Sequence, residues 1–292
     1  MFKLQATSSA HLPKTASLGA WIKQHALLAY ILATFGLTWP FMWAEVLGSW
    51  GLLSFRLTLS GLGLFLTLFI AYGPTLVALV ITGVSSGRAG LRNLLGRLLI
   101  WRVGWQWYAI ALFLPGIVGL GATVLYAAWS GATVLLPSFT WGKLPLILVS
   151  FLVHGLVNGE EIGWRGFALP YLQRRWNALK ASLLLGAVWA LFHLPIFFVQ
   201  GDSILGSQNV MNPLAFLIEV LAGAILMTWL FNNTQGSLLI AYLYHAAVNT
   251  WTTEVFLTNN TASALITVIV AALVVVSFGP AHLTHTRGTK QR

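Results

Sequence analysis

The sequence predicts an all-α polytopic membrane protein, about eight transmembrane helices around a polar active-site cavity inside the bundle. Three observations carry that fold class. The 292 residues are 58% hydrophobic and only 8% charged, with a mean hydropathy of +0.81, which is outside the range of soluble domains. Apolar runs of about twenty residues recur without the alternating polar pattern of a barrel strand. The cationic residues also sort to one side once eight spans are drawn.

Taken in order, residues 1–24 hold Lys3, His11, Pro13, Lys14 and Lys23 with no continuous apolar core, so they read as a cytoplasmic lead-in. A transmembrane domain covers 25–279, with a motif-bearing core at 143–257, and 280–292 is a basic cytoplasmic tail. The first span is expected from about Ala26 to Leu47, kinked or ended near Pro40. The second runs from about Leu59 to Val84, with Gly73-Pro74 as a kink. Arg88, Arg92, Arg97 and Arg102 connect it to a third span, Trp105 to Tyr126, broken by Pro115-Gly116. The fourth runs from Lys143 to Pro170. The fifth follows Arg174, Arg175 and Lys180 and extends to about Val199, after which a loop carries Asp202. Pro213 to Phe231, Ser237 to Leu257 and Ala262 to Phe278 complete the eight.

Eight spans put both termini on one side, which then holds thirteen of the sixteen Lys and Arg residues. Arg56 and Lys143 fall opposite and Arg165 lies within the apolar region. The side with the termini is therefore assigned to the cytoplasm, and the membrane to the cell's inner membrane if the source is bacterial. The net charge of +10 reads as orientation plus contact with anionic lipid, not as nucleic-acid binding. Zero cysteines exclude disulfides, thiolate metal sites and a cysteine nucleophile.

The stretch around which the chain is organised is His154 to Pro170, HGLVNGEEIGWRGFALP. It places Glu160, Glu161 and Arg165 inside an apolar run, in a chain with only six acidic residues. Charges at that depth need partners. On a continuous helix His154, Asn158, Glu161 and Arg165 share one stripe, and Glu161 with Arg165 is a favourable i,i+4 ion pair. Glu160 points about 100° away, so a different helix must satisfy it. The fifth span offers His193, and the seventh offers His245 and Asn249, again i,i+4. At 1.5 Å per residue, Glu160 lies about 15 Å, His245 about 12 Å and His193 about 20 Å from the cytoplasmic ends of their helices. All three fall in the middle third of a core about 30 Å thick.

Such a group can hydrolyse an acyl bond. A water held between Glu160 and His193 is placed for general-base activation, and His245 with Asn249 can receive the charge developing on oxygen. No serine or threonine stands beside a base as an alternative nucleophile. A zinc site from Glu160, Glu161, His193 and His245 is conceivable. No HExxH is present, however, and Glu161 is already paired with Arg165, so no cofactor is expected. Glu219 and Glu254 read as structural or snorkelling. The four deep tryptophans, Trp164, Trp189, Trp229 and Trp251, read as packing.

The EExxxR of Glu160, Glu161 and Arg165, the later His193 and the HxxxN of His245 and Asn249 resemble the three motifs of the CAAX-processing and bacteriocin-processing (CPBP or Abi) family. These are intramembrane glutamic endopeptidases related to the Ras-converting CAAX endopeptidase. The motifs span 154–250, and the span layout extends the likeness over most of the chain. The resemblance implies Glu160 as the base, His193 as its partner, His245 and Asn249 as stabilisers, and Glu161 and Arg165 as support. It implies a cavity open to cytosol and lipid, and a membrane-associated peptide or protein substrate, prenylated and CAAX-like or bacteriocin-like. The second motif, usually FxxxH, departs here in having Trp189. A peptide-binding or self-immunity protein of the same fold is the main alternative. A proton-coupled transporter, the third class, is disfavoured because no internal repeat is visible.

Overall fold

The computed structural model describes residues 18–58, 61–131, 141–201, 203, 212–256 and 259–284. The first seventeen residues, Asp202 and the tail from 285 lie outside the described residues, and with them parts of the expected N-terminal segment, outer loop and basic tail. The described chain is helical, with no strand among the described residues.

Ten α-helices follow one another. A short α1 (Leu18–Gln24) leads into α2 (Ala26–Ser49), α3 (Gly61–Gly96) and α4 (Trp105–Ser130). After α5 (Leu144–Val157) comes a π-helical turn, Ile162–Ala168, running into α6 (Leu169–Gln173) and then α7 (Ala178–Phe192). The chain ends with α8 (Pro213–Asn233), α9 (Leu238–Thr250) with a π-helical turn at Trp251–Val255, and α10 (Asn260–Phe278).

Each apolar segment expected to be a span is helical, but the eight are unequal. Five helices are long and apolar enough to cross a bilayer, and a sixth qualifies if Trp141–Val157 and Ile162–Gln173, bent by 51°, are one span. At 1.5 Å per residue α7 is only about 22 Å long, and it continues as a 3-10 turn, Leu194–Phe198. Helix α9 is shorter still. Both short helices carry site residues, so the polar segments are also the irregular ones.

The prolines behave differently from expectation. Pro40, Pro74 and Pro115 all lie within continuous helices. At Pro115-Gly116 the reason is visible: Trp251 Nε1 donates to the Leu112 carbonyl at 2.7 Å, while its ring fills the space a Gly116 side chain would need. A neighbouring helix thus supplies the donor and packing that let a membrane helix run through proline. The break in α3 comes instead at Gly87, whose φ of 61° is readily adopted only by glycine.

Neighbours pack as α2 on α3, α7 on α8, α8 on α10, and α4 on both α9 and α10, while the π-turn Ile162–Ala168 beds against α3. Fully buried Glu45 pins the α2–α3 loop, accepting from Arg56 Nε at 3.1 Å and the Leu57 amide at 2.6 Å. Glu219 accepts from Ser263 and ties α8 to α10.

Candidate active site

The expected continuous helix through the motif is broken. Helix α5 ends at Val157, residues 158–160 form a turn, and the backbone resumes at Glu161. Two contacts from α3 latch the break: Tyr72 donates its hydroxyl to the Leu156 carbonyl, and Thr75 donates to the Gly159 carbonyl. Gly159 lies against the Tyr72 ring, and Gly163 lies against the backbone of Pro74. The π-turn therefore sits closer to α3 than any residue with a β-carbon would allow.

The break dissolves the predicted stripe. His154 stays on α5, in a separate seam with α9: its Nδ1 is 3.1 Å from Thr250 Oγ1 and 3.3 Å from Ser150 Oγ. Ser150 in turn donates to Glu254 Oε1 at 3.0 Å. Beyond the break the ion pair survives, with Arg165 Nη1 at 3.0 Å from Glu161 Oε1. Both residues are fully buried. The same oxygen accepts from His245 Nδ1 at 2.7 Å, a contact that spacing did not suggest. Among the described residues the imidazole's other nitrogen, Nε2, makes no hydrogen bond to either glutamate.

Glu160 is satisfied both from its own helix and from another. Its Oε2 accepts from Trp164 Nε1 at 2.6 Å and from Trp189 Nε1, on α7, at 3.1 Å. His193 is the C-cap of α7, between that helix and the 3-10 turn that follows. Its Nδ1 lies 2.9 Å from the Trp189 carbonyl; a carbonyl can only accept, so Nδ1 carries the proton and Nε2 is the nitrogen free to act. Among the described residues no hydrogen bond joins Glu160 directly to His193. Trp189 stands between them, bonded to one through its ring and to the other through its backbone.

Asn249 donates to Asn158 Oδ1 at 3.0 Å, so the side chain at the helix break orients the amide expected to serve the oxyanion. Burial divides the site: Glu160, His193 and Asn249 are half-buried, whereas Glu161, Arg165 and Trp164 are sealed. An apolar groove of about 520 Å³ is lined by α1, α2 and α3, and a cavity of about 210 Å³ lies beside Gln173 and Asn232; neither is lined by a site residue. Among the described residues no group of three or more His, Asp or Glu side chains is arranged to hold a metal ion.

Contacts join Glu160, Glu161, Arg165, His193 and His245 from three segments, with Trp189 linking them, while Asn249, one turn beyond His245 on α9, bonds instead to Asn158. Sequence reasoning missed the roles of Asn158, Trp164 and Trp189. The i,i+4 spacing of Trp164 from Glu160 was the available signal for one of them.

Residues 139–251 match the family model described as Rce1-like, type II CAAX prenyl endopeptidase. The chain is also 26% identical over 227 residues to the CAAX prenyl protease 2 of Methanococcus maripaludis, an alignment covering 75% of this chain and 81% of that protein. The matched region contains every motif residue named above, and these similarities bear out the likeness read from the motifs.

Proposed function

We propose that this Rce1-like integral membrane protein is a CAAX-type endopeptidase that hydrolyses a peptide bond with water activated by Glu160 and His193. The observation that carries the reading is the division of labour between adjacent glutamates. Glu161 is buried and committed to Arg165 and His245, whereas half-buried Glu160 is held by two neutral donors on one oxygen only.

In the proposed step, water lies between Glu160 Oε1 and His193 Nε2. Its oxygen attacks the scissile carbonyl carbon while its proton passes to Glu160. The resulting oxyanion accepts from His245 Nε2–H and the Asn249 amide. Donation from Nε2 while Nδ1 donates to Glu161 requires a proton on both ring nitrogens, and Glu161 is the carboxylate that lies beside them. The carbon–nitrogen bond then breaks, and the amine leaves with the proton held by Glu160. The scheme routes no step through a metal.

The substrate class follows the relative: a membrane-associated chain ending in a prenylated Cys-a-a-X box. The sorting of basic residues supports cytoplasmic termini, and a reporter fused after Arg292 tests this; a reporter on the opposite side would overturn the eight-segment topology.

The decisive experiment gives a farnesylated CAAX peptide, and its unprenylated counterpart, to membranes carrying wild type or Glu160→Gln at equal expression. Mass spectrometry should find a shortened prenylated product with wild type alone. Equal products from both would remove Glu160 as the base. No product from either, with a cellular phenotype that survives the substitution, would favour the binding or self-immunity protein.

A further inference from the structure

Two tryptophans meet the catalytic carboxylate on the same atom. Trp164, one turn along the π-helix, and Trp189, on α7, both donate to Glu160 Oε2, at 2.6 and 3.1 Å. Among the described residues no hydrogen bond is made to Oε1. We propose that Trp164 and Trp189 form an indole clamp that positions Glu160, holding its carboxylate with Oε2 saturated and Oε1 presented to water. The proposal rests on Glu160 being the base but concerns residues to which the motif resemblance assigned no role.

Indole N–H can donate and never accept. Two such donors fill the lone pairs of one carboxylate oxygen and can do nothing for the O–H of a protonated acid. The clamp therefore leaves Oε1 as the oxygen that faces water, and it does so without adding a charge beside the nucleophilic water.

Both rings are locked. Trp164 is fully buried, with Tyr30 at 5.5 Å and Phe192 at 5.6 Å in edge-to-face contact. Trp189 meets the rings of His193 at 5.8 Å and His245 at 5.5 Å. The Arg165 guanidinium carbon lies 4.5 Å from its ring centroid. Nε and Nη2 of Arg165 make no hydrogen bond among the described residues, so this aromatic face is what meets the rest of the cation. A cation over the ring draws density from the indole and strengthens its N–H as a donor. Trp189 thus touches, through ring or backbone, Glu160, Arg165, His193 and His245, one residue from each part of the network.

Phenylalanine at either position keeps the ring and removes the N–H. Trp189→Phe and Trp164→Phe should each lower kcat about 10-fold, the loss of one hydrogen bond to a charged group, with KM changed less than about 3-fold. A direct readout needs no turnover. In wild type, the indole N–H proton resonances of Trp164 and Trp189, assigned by the two substitutions in detergent micelles, should lie downfield. Both should move upfield in Glu160→Gln.

Unmoved resonances overturn the clamp; should the Phe variants fail to fold, the absence of any indole N–H resonance that moves upfield in Glu160→Gln overturns it without assignment. Moved resonances with unchanged kcat in the Phe variants overturn its positioning role, as does a rise in KM alone, which would make the indoles substrate contacts. If the resonances move and no peptide is hydrolysed by wild type, the clamp stands and the peptidase reading falls.

Discussion

His245 Nδ1 lies 2.7 Å from Glu161 Oε1, and Arg165 Nη1 reaches the same oxygen at 3.0 Å. One fully buried carboxylate thus joins α9 to the π-turn and balances two potential cations. Glu160, its neighbour in sequence, balances none.

The two glutamates should therefore fail in opposite ways. Glu160→Gln removes the base from a half-buried position and should cut peptide cleavage by at least about 10³-fold while leaving thermal unfolding nearly unchanged. Glu161→Gln strands Arg165 in the interior, which costs about 3–5 kcal/mol, and loosens His245 as well. Unfolding in detergent measured beside cleavage separates them. A stable, inactive Glu161→Gln paired with an unstable Glu160→Gln would reverse the assigned roles.

The glycines that let the π-turn approach α3 give a graded test. A β-carbon at Gly163 would lie 2.6 Å from the Pro74 backbone, whereas one at Gly166 meets only Leu94 and Leu238 side chains, at 2.8 and 3.2 Å. Backbone cannot yield as a leucine terminus can. Gly163→Ala should destabilise by about 1–3 kcal/mol and displace Glu160 with the turn. Gly166→Ala should cost less and keep activity within a few-fold. Equal unfolding temperatures for the two would mean the π-turn is not wedged against Pro74.

The chain's motifs made the chemistry legible, because EExxxR and HxxxN use helical spacing and an ion pair costs too much in an apolar run to be incidental. The pairing of Glu161 with Arg165 follows from i,i+4 geometry whether the turn is α or π. The break at Asn158 was hidden because the residues latching it, Tyr72 and Thr75, lie on α3 some 84 positions away in sequence. For the same reason the sequence could not divide the tryptophans. Trp251 satisfies a helix carbonyl beside a proline and Trp189 a carboxylate, and only tertiary contact distinguishes them. Five or six of the eight expected spans are long and apolar enough on their own to cross a bilayer; α7 and α9 are the short ones, where His193 and the π-turn at Trp251 end regular helix.

The seam of Ser150, His154, Thr250 and Glu254 looks catalytic in composition but is wired as a fastener. Thr250 donates its hydroxyl to the Ala246 carbonyl at 2.8 Å, so its oxygen can only accept from the His154 Nδ1–H. Ser150 gives its proton to Glu254. Helix α5 has no buried residue of its own, which leaves these bonds as a main attachment to α9. His154→Ala and Glu254→Gln should each cost about 1–2 kcal/mol in unfolding and leave cleavage within a few-fold. Loss of cleavage at unchanged stability would make the seam part of the chemistry.

Metal dependence can be judged from the same wiring. A zinc ion would need at least three donors from this network, and the structure commits several of them elsewhere. Glu161 Oε1 is shared by Arg165 and His245, Glu160 Oε2 holds two indoles, and His193 Nδ1 faces a carbonyl. The atoms left are Glu160 Oε1, Glu161 Oε2, His193 Nε2 and His245 Nε2; no group of three or more such side chains is arranged to hold an ion among the described residues, and Glu160 Oε1 with His193 Nε2 are the groups proposed to hold water. Overnight dialysis against excess chelator should leave peptide cleavage within about 2-fold of the untreated protein, and added zinc should inhibit or do nothing, by occupying those two groups in place of water. Cleavage lost on chelation and restored by zinc would require the indoles or Arg165 to move aside, and would replace glutamate-activated water with metal-activated water.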